Sequence, residues 1–145
     1  MIRRMKPFAL TVSAIVFAGV VQAEPASFAT PSGNIICYVP VDFGQAPGDT
    51  PLHCLILSAE WAPARGEAGC DLDETPILTL PAAGPPDERR GCHGDVFWPL
   101  PTPRLSYGSE WSVEGFTCAV ATTGVTCRNA SDHGFSLARR GRQLF

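Results

Sequence analysis

Three histidines, six cysteines and a scatter of carboxylates are the residues of this chain whose chemistry could extend beyond packing. The histidines stand at 53, 93 and 133. His93 and Asp95 frame Gly94 in "CHGD", and Asp132 precedes His133 in "SDHGF". A carboxylate that orients an imidazole makes a general base. Drawn together from separate loops, His93, Asp95 and His133 would instead make a three-ligand metal site with an open position. Residues two apart in a tight turn seldom face each other, however, and an Asp there ordinarily bonds its own backbone. Asp132 and His133 meet the same objection. His53 lies in an apolar run beside Cys54 and reads as a packed or half-exposed strand residue. His93, Asp95 and His133 are therefore the candidate binding residues, and no catalytic residue or metal ligand is assigned.

Searches for other chemistry return little. "GFSLA" around Ser136 ends in Ala and does not make a nucleophile elbow. There is no HExxH, no phosphate-binding loop and no dinucleotide fingerprint, so no cofactor is expected. "DLDETP" at 71–76 does not space its oxygens as a calcium loop does. "NAS" at 129–131 fits a glycosylation acceptor but reads better as a turn. Trp61, Trp98, Trp111, Phe97 and Tyr107 are expected mainly in the core, with a sugar- or peptide-binding patch as the functional alternative.

The first residues read as an address. Arg3, Arg4 and Lys6 form a positive start, Pro7 to Val21 is apolar, and Val21-Gln22-Ala23 offers a small-residue cleavage site. Residues 1–23 are thus expected to be a signal peptide, cleaved near Ala23, with a periplasmic or secreted domain over 24–145. The apolar stretch is short for a bilayer-spanning helix, which needs about 20 residues. The leader holds three of the eleven basic residues and none of the fourteen acidic ones, so its removal moves the formal net charge from −3 to −6. An acidic chain argues against nucleic acid or an anionic membrane as partner.

All six cysteines follow the leader, and an exported chain meets an oxidising compartment, so three disulfides are expected. Fifteen pairings are possible, and local geometry favours neighbours. In "FTCAVATTGVTC" a two-residue loop at Thr122-Thr123 sets Cys118 opposite Cys127 on one hairpin. A longer loop with Gly124 at positive φ is the alternative. "NIICYV" and "LHCLIL" pair Cys37 with Cys54 in the same way, and elimination leaves Cys70 with Cys92.

No segment carries sustained helical periodicity; residues 58–68 could make one turn of helix, limited by Pro63 and Gly66. Short β-prone runs fall near 34–39, 52–57, 76–80, 94–98, 110–121, 124–129 and 134–139, with Gly and Pro between them. The expected fold is all-β: a small antiparallel sandwich or barrel of about seven short strands, stapled by disulfides. "WPLPTPRL" is expected to be an extended connector or edge, and "DERR" at 87–90 a solvated loop tip held by the Cys70–Cys92 bridge. In "NASDHGFSLARRGRQLF", residues 129–133 read as a connection and 134–139 as a last strand with Phe135 and Leu137 inward. Its arginines are expected to keep that strand a solvated, unpaired edge.

The strings "FATPSGNIICYV", "GCHGDVF", "LSYGSEWSVEGFTCAVATTGVTCRN" and "HGFSLARRGRQLF" resemble a family of exported bacterial proteins of unknown function. The likeness spans nearly all of the chain beyond the leader. This sequence departs from the family pattern at Asp132, where Gly is usual, at Ala138-Arg139, where Ser-Arg is usual, and in the added Arg140 and Arg142. The resemblance implies an exported β-domain and no activity. The leading expectation is a non-enzymatic binding module, inhibitor-like in one version, facing a protein or glycan in the envelope or outside it. A metal-dependent or hydrolytic enzyme built on His93, Asp95 and His133 is the first alternative, and a structural envelope component the second.

Overall fold

Ten short strands form among the described residues, and the alternation of side chains along each decides which face it buries. A computed structural model of the chain describes residues 25–40, 50–61 and 69–145. The expected leader, most of the connection before Pro51 and the expected helical turn beyond Trp61 lie outside the described residues. Sheet A takes β1 (Ser27–Ala29), β2 (Ile35–Tyr38), β3 (Leu52–Ile56), β4 (Asp73–Leu80) and β5 (Asp87–His93) in sequence order. Sheet B takes β6 (Glu110–Val113), β7 (Phe116–Ala121), β8 (Gly124–Arg128), β9 (Gly134–Ala138) and β10 (Gly141–Leu144), also in order. All pairings between these strands are antiparallel.

The inner faces meet in one core. Phe28, Leu52, Ile56 and Leu80 come from sheet A, and Trp111, Phe116, Phe135 and Leu137 from sheet B. Each such side chain contributes roughly 1.5–3 kcal/mol on full burial. Two disulfides lie in the same layer: Cys37–Cys54 within sheet A and Cys118–Cys127 within sheet B. They touch across it, with Cys54 Sγ 3.9 Å from Cys127 Sγ. Cys70–Cys92 is the third bridge, at the open end of the β4–β5 hairpin. Each bridge joins consecutive cysteines of the sequence, and the register Cys118↔Cys127 closes on the two-residue loop Thr122-Thr123. Gly124 still needs its freedom, at φ 135°: a Cβ there would sit 2.3 Å from the main-chain oxygen of Leu137.

Several strand expectations change. The run 110–121 is two strands, split at Glu114 and Gly115, whose φ values of 51° and 84° make a tight hairpin turn. Residues 94–98 are not a strand. The strand is the preceding "DERRGCH", so the expected loop tip is an ordered edge paired along β4. Its charges survive there because they alternate: Asp87 and Arg89 are exposed, while Glu88 and Arg90 form ion pairs. β1 and β10 carry no sequence signal long enough to register.

The chain's ending is corrected too. β9 is not an edge, since β10 pairs along it after a turn at Arg139-Arg140. Arg142 lies opposite Leu137 and so on the inner-face side of the edge strand. Its guanidinium is 2.9 Å from Glu88 of β5 and stacks 4.3 Å from the Trp61 ring, joining the two sheets where the sandwich is open. Phe135 and Leu137 do face inward.

Sheet A is covered on its second face as well. Ala29, Ile36, Tyr38, Leu55 and Ile77 form a smaller buried cluster there, with Trp98 packed on it. The Pro-rich connector carries Trp98 over that face and then runs beside β1, where Ala29 and Arg104 form a parallel bridge.

Candidate binding surfaces

His93 closes β5, and its ring is held on both sides. Nε2 is 2.8 Å from Thr75 Oγ1, and Nδ1 is 3.0 Å from the main-chain oxygen of Asp95. A carbonyl only accepts, so Nδ1 carries a proton and, in the neutral ring, Nε2 accepts from the buried Thr75 hydroxyl. Asp95 therefore meets His93 through its backbone, as the turn argument requires, and not as an orienting carboxylate. Either ring nitrogen would have to give up a hydrogen bond before acting as base or ligand.

His133 sits on the other sheet, half-buried in the β8–β9 connection. Its neighbour Asn129 does the structural work of that loop. Asn129 is buried; its Oδ1 accepts from Ser131 N, Ser131 Oγ and His133 N, and its Nδ2 donates to the carbonyls of Pro81 and Gly84. An amide committed in this way offers nothing to a glycosyltransferase in the folded chain. Asp132 adopts φ 62°, the left-handed region that favours glycine and that Asp tolerates. That is the position where the family resemblance expects Gly.

His93, Asp95 and His133 do not converge. Among the described residues, the only three His, Cys, Asp or Glu side chains whose ligand atoms lie within 4.8 Å of one another are Cys37, Cys54 and Cys127. All three are in disulfides. His53, on the outer face of sheet A, bonds Thr79 Oγ1 through Nδ1 at 3.0 Å, in keeping with a strand residue. Beside it, burial raises the Tyr38 hydroxyl above its ordinary value of 10.0, against an opposing pull from the Arg89 guanidinium.

Around His93 the structure assembles a surface that spacing alone did not reveal. Its ring lies 4.7 Å from Phe97 and 6.2 Å from Trp98, and those two rings meet edge-on at 5.3 Å. Phe97 folds back over Gly91, where a Cβ would also collide with Ile77 Cδ1 at 2.7 Å. Leu72, beside Gly94, and Val96, Phe97 and Leu100 along the connector are all exposed. The Cys70–Cys92 bridge ties the base of this platform to β5. Of the aromatic candidates, Trp111 is core, Trp61 and Trp98 are half-buried, and Phe97 and Tyr107 stand exposed.

A second surface lies among the turns at one end of the sandwich. The β1–β2, β7–β8 and β9–β10 turns, with Glu60 and Tyr107, enclose a cleft of about 530 Å³. The sequence marked Tyr107 and Arg140 singly, but their meeting depends on which turns share an end.

The family of unknown function DUF6636 matches residues 9–145. The chain belongs to DUF6636. No curated protein and no solved structure matches it. Membership in DUF6636 assigns no ligand to either surface. Among the described residues no helix is long and apolar enough to cross a membrane.

Proposed function

We propose that the chain is an exported, non-enzymatic binding module that presents the His93–Phe97–Trp98 platform to a protein partner in the envelope or outside the cell. The observation that supports this is the exposure of Leu72, which lies against Gly94, and of Val96, Phe97 and Leu100 along the connector that follows it. Contiguous exposed apolar surface on a polar, acidic domain is what a protein partner covers, and a core of aromatic side chains with an open rim is where binding energy concentrates. Three disulfides fit an oxidising compartment, and the expected leader would take the chain there. A rigid apolar loop on a stapled scaffold also suits an inhibitor, because little ordering entropy is lost on docking. The engaged nitrogens of His93 favour a positioning role for that ring over proton transfer.

Photo-crosslinking tests the reading. A photoreactive residue in place of Phe97 should capture a single partner from envelope extract or culture medium. Capture should be competed by excess unmodified protein and lost when Leu100→Ser is added. The same residue placed at Thr117, on the outer face of sheet B, should capture none. Equal, non-competable labelling from both positions, or none from position 97, would remove the proposal.

A further inference from the structure

We propose a second site, chemically unlike the ring platform and independent of it: the end cleft and the outer face of sheet B together bind a carboxylated glycan. The cleft's ≈ 530 Å³ falls within the range of small-ligand sites, roughly 300–1,000 Å³. A second depression of about 500 Å³ runs from it across sheet B. Thr123, Ala138 and Arg140 line both, so the two are one continuous trough.

The walls of the trough are fixed before any ligand arrives. Asn34 exchanges two hydrogen bonds with the main chain of Ser58, at 3.0 and 2.8 Å, which ties the β1–β2 turn to the end of β3. The β9–β10 turn is held by Glu60 N donating to the Arg139 carbonyl at 2.8 Å and Trp61 Nε1 donating to the Ala138 carbonyl at 2.9 Å. Tyr107 is placed by Gly108 N bonding the Val120 carbonyl at 2.7 Å. Preorganised walls spare a ligand the cost of ordering them.

The lining selects the ligand class. Arg139 and Arg140 bring two guanidinium groups to a chain that is acidic overall. Glu60 is 3.9 Å from Arg139 and offsets one of them; Arg140 meets no carboxylate among the described residues. A guanidinium fork matches a carboxylate in two parallel hydrogen bonds. Ser32, Thr122 and Thr123 offer hydroxyls that both donate and accept, as sugar hydroxyls require. The exposed ring of Tyr107 gives a flat apolar face for the C–H side of a sugar. Beyond Arg140 the floor is small and polar: Ala119, Thr126 and Ser136 stand in one cross-strand row. That floor suits a flat, hydroxylated, elongated ligand and offers nothing to a large apolar one. A peptide strand would seek the unpaired backbone of a sheet edge, and the trough lies over turns and a sheet face.

Calorimetric titration with a uronic-acid trisaccharide, and with its carboxyl-reduced neutral form, tests the site on the disulfide-bonded protein. The acidic trisaccharide should bind saturably and the neutral one about tenfold or more weaker. Arg140→Ala should weaken the acidic form by about tenfold and Tyr107→Ala by several-fold. Arg89→Ala on sheet A and the Leu100→Ser variant should leave the affinity unchanged, which separates this site from the ring platform. Unchanged thermal unfolding of Arg140→Ala would exclude misfolding as the cause. No saturable binding of the acidic form, equal affinity for both forms, or equal losses from Arg140→Ala and Arg89→Ala would each overturn the proposal. Tighter binding of a single-stranded oligonucleotide than of the trisaccharide would do so too, assigning the arginines to phosphate.

Discussion

The two five-stranded sheets share a core and differ on their backs. Along β2 every residue is buried, because Ile35 and Cys37 face the core while Ile36 and Tyr38 face the Trp98 cover. Along β7 burial alternates strictly: Phe116, Cys118 and Val120 are buried, Thr117, Ala119 and Ala121 exposed. A strand with both faces dry reads as a continuous apolar run, and one with a single dry face reads as alternation. Sheet A thus commits its outer face to stability and carries its exposed apolar residues on the cover itself. Sheet B leaves its outer face small, polar and open, which is a condition for using it as a surface. The same architecture has given the two backs different jobs.

Truncations on the two backs should expose the difference most strongly. Leu55 is fully buried on the outer face of sheet A. Leu55→Ala should lower unfolding free energy by about 2–5 kcal/mol, the range for a leucine removed from a packed interior. Thr126 stands at the middle of sheet B's outer face, and its hydroxyl is 3.0 Å from that of Ser136. Thr126→Ala should cost at most about 1 kcal/mol, the worth of one modest hydrogen bond. Urea unfolding of both variants measures the contrast. Similar losses would mean that the cover over sheet A contributes no more than open solvent does over sheet B.

The join between the sheets is the next target. Asn129 leaves sheet B after β8 and donates to Pro81 and Gly84, in the β4–β5 connection of sheet A. Asn129→Ala strips partners from two carbonyls on one sheet and from the Ser131 and His133 amides on the other. A loss of about 2–3 kcal/mol is expected, since buried polar groups deprived of partners cost about 1–3 kcal/mol. Asn129→Asp keeps the acceptor and removes the donors, so it should fall between wild type and Ala if both halves of the amide matter. Equal stability of Asp and wild type would assign the join to the acceptor side alone.

Much of this was legible in the residues, for reasons that differ by position. The Cys118–Cys127 register followed from a two-residue loop counted along one hairpin, which is local information. The alternation of Phe135 and Leu137 was local as well. β5 is not legible as a strand because "DERR" has loop composition. Its strand character comes from β4, which needs a partner, and from Glu74 and Arg142, which pair Arg90 and Glu88 from elsewhere in the chain. The role of Arg142 is hidden for the same reason, being set by Glu88 on the opposite sheet. Of the three candidate site residues, His93 packs against the rings of Phe97 and Trp98. Nothing in the spacing of Phe97 and Trp98 announces that they meet there. The end cleft was the least legible feature, because its residues come from turns that only the strand order brings to one end.

The smallest effect reports on the cover itself. Tyr38 lies beneath it, and burial holds its hydroxyl above the ordinary value of 10.0 while Arg89 pulls the other way. The folded chain therefore keeps this proton more tightly than the unfolded chain does. The associated stability is fully present below pH 10.0, the unfolded value, and is lost as pH rises through the folded one. Tyr38 and Tyr107 are the two tyrosines, so in a Tyr107→Phe background tyrosinate absorbance reports Tyr38 alone. Its midpoint should lie above 10.0, rise further with Arg89→Ala, and fall back toward 10.0 with Trp98→Ala, which lets water reach the outer face of sheet A. A midpoint indifferent to Trp98→Ala would mean that the neighbouring strands, and not the Pro-rich connector, keep that face dry. The contrast between the two backs would then belong to the strands themselves.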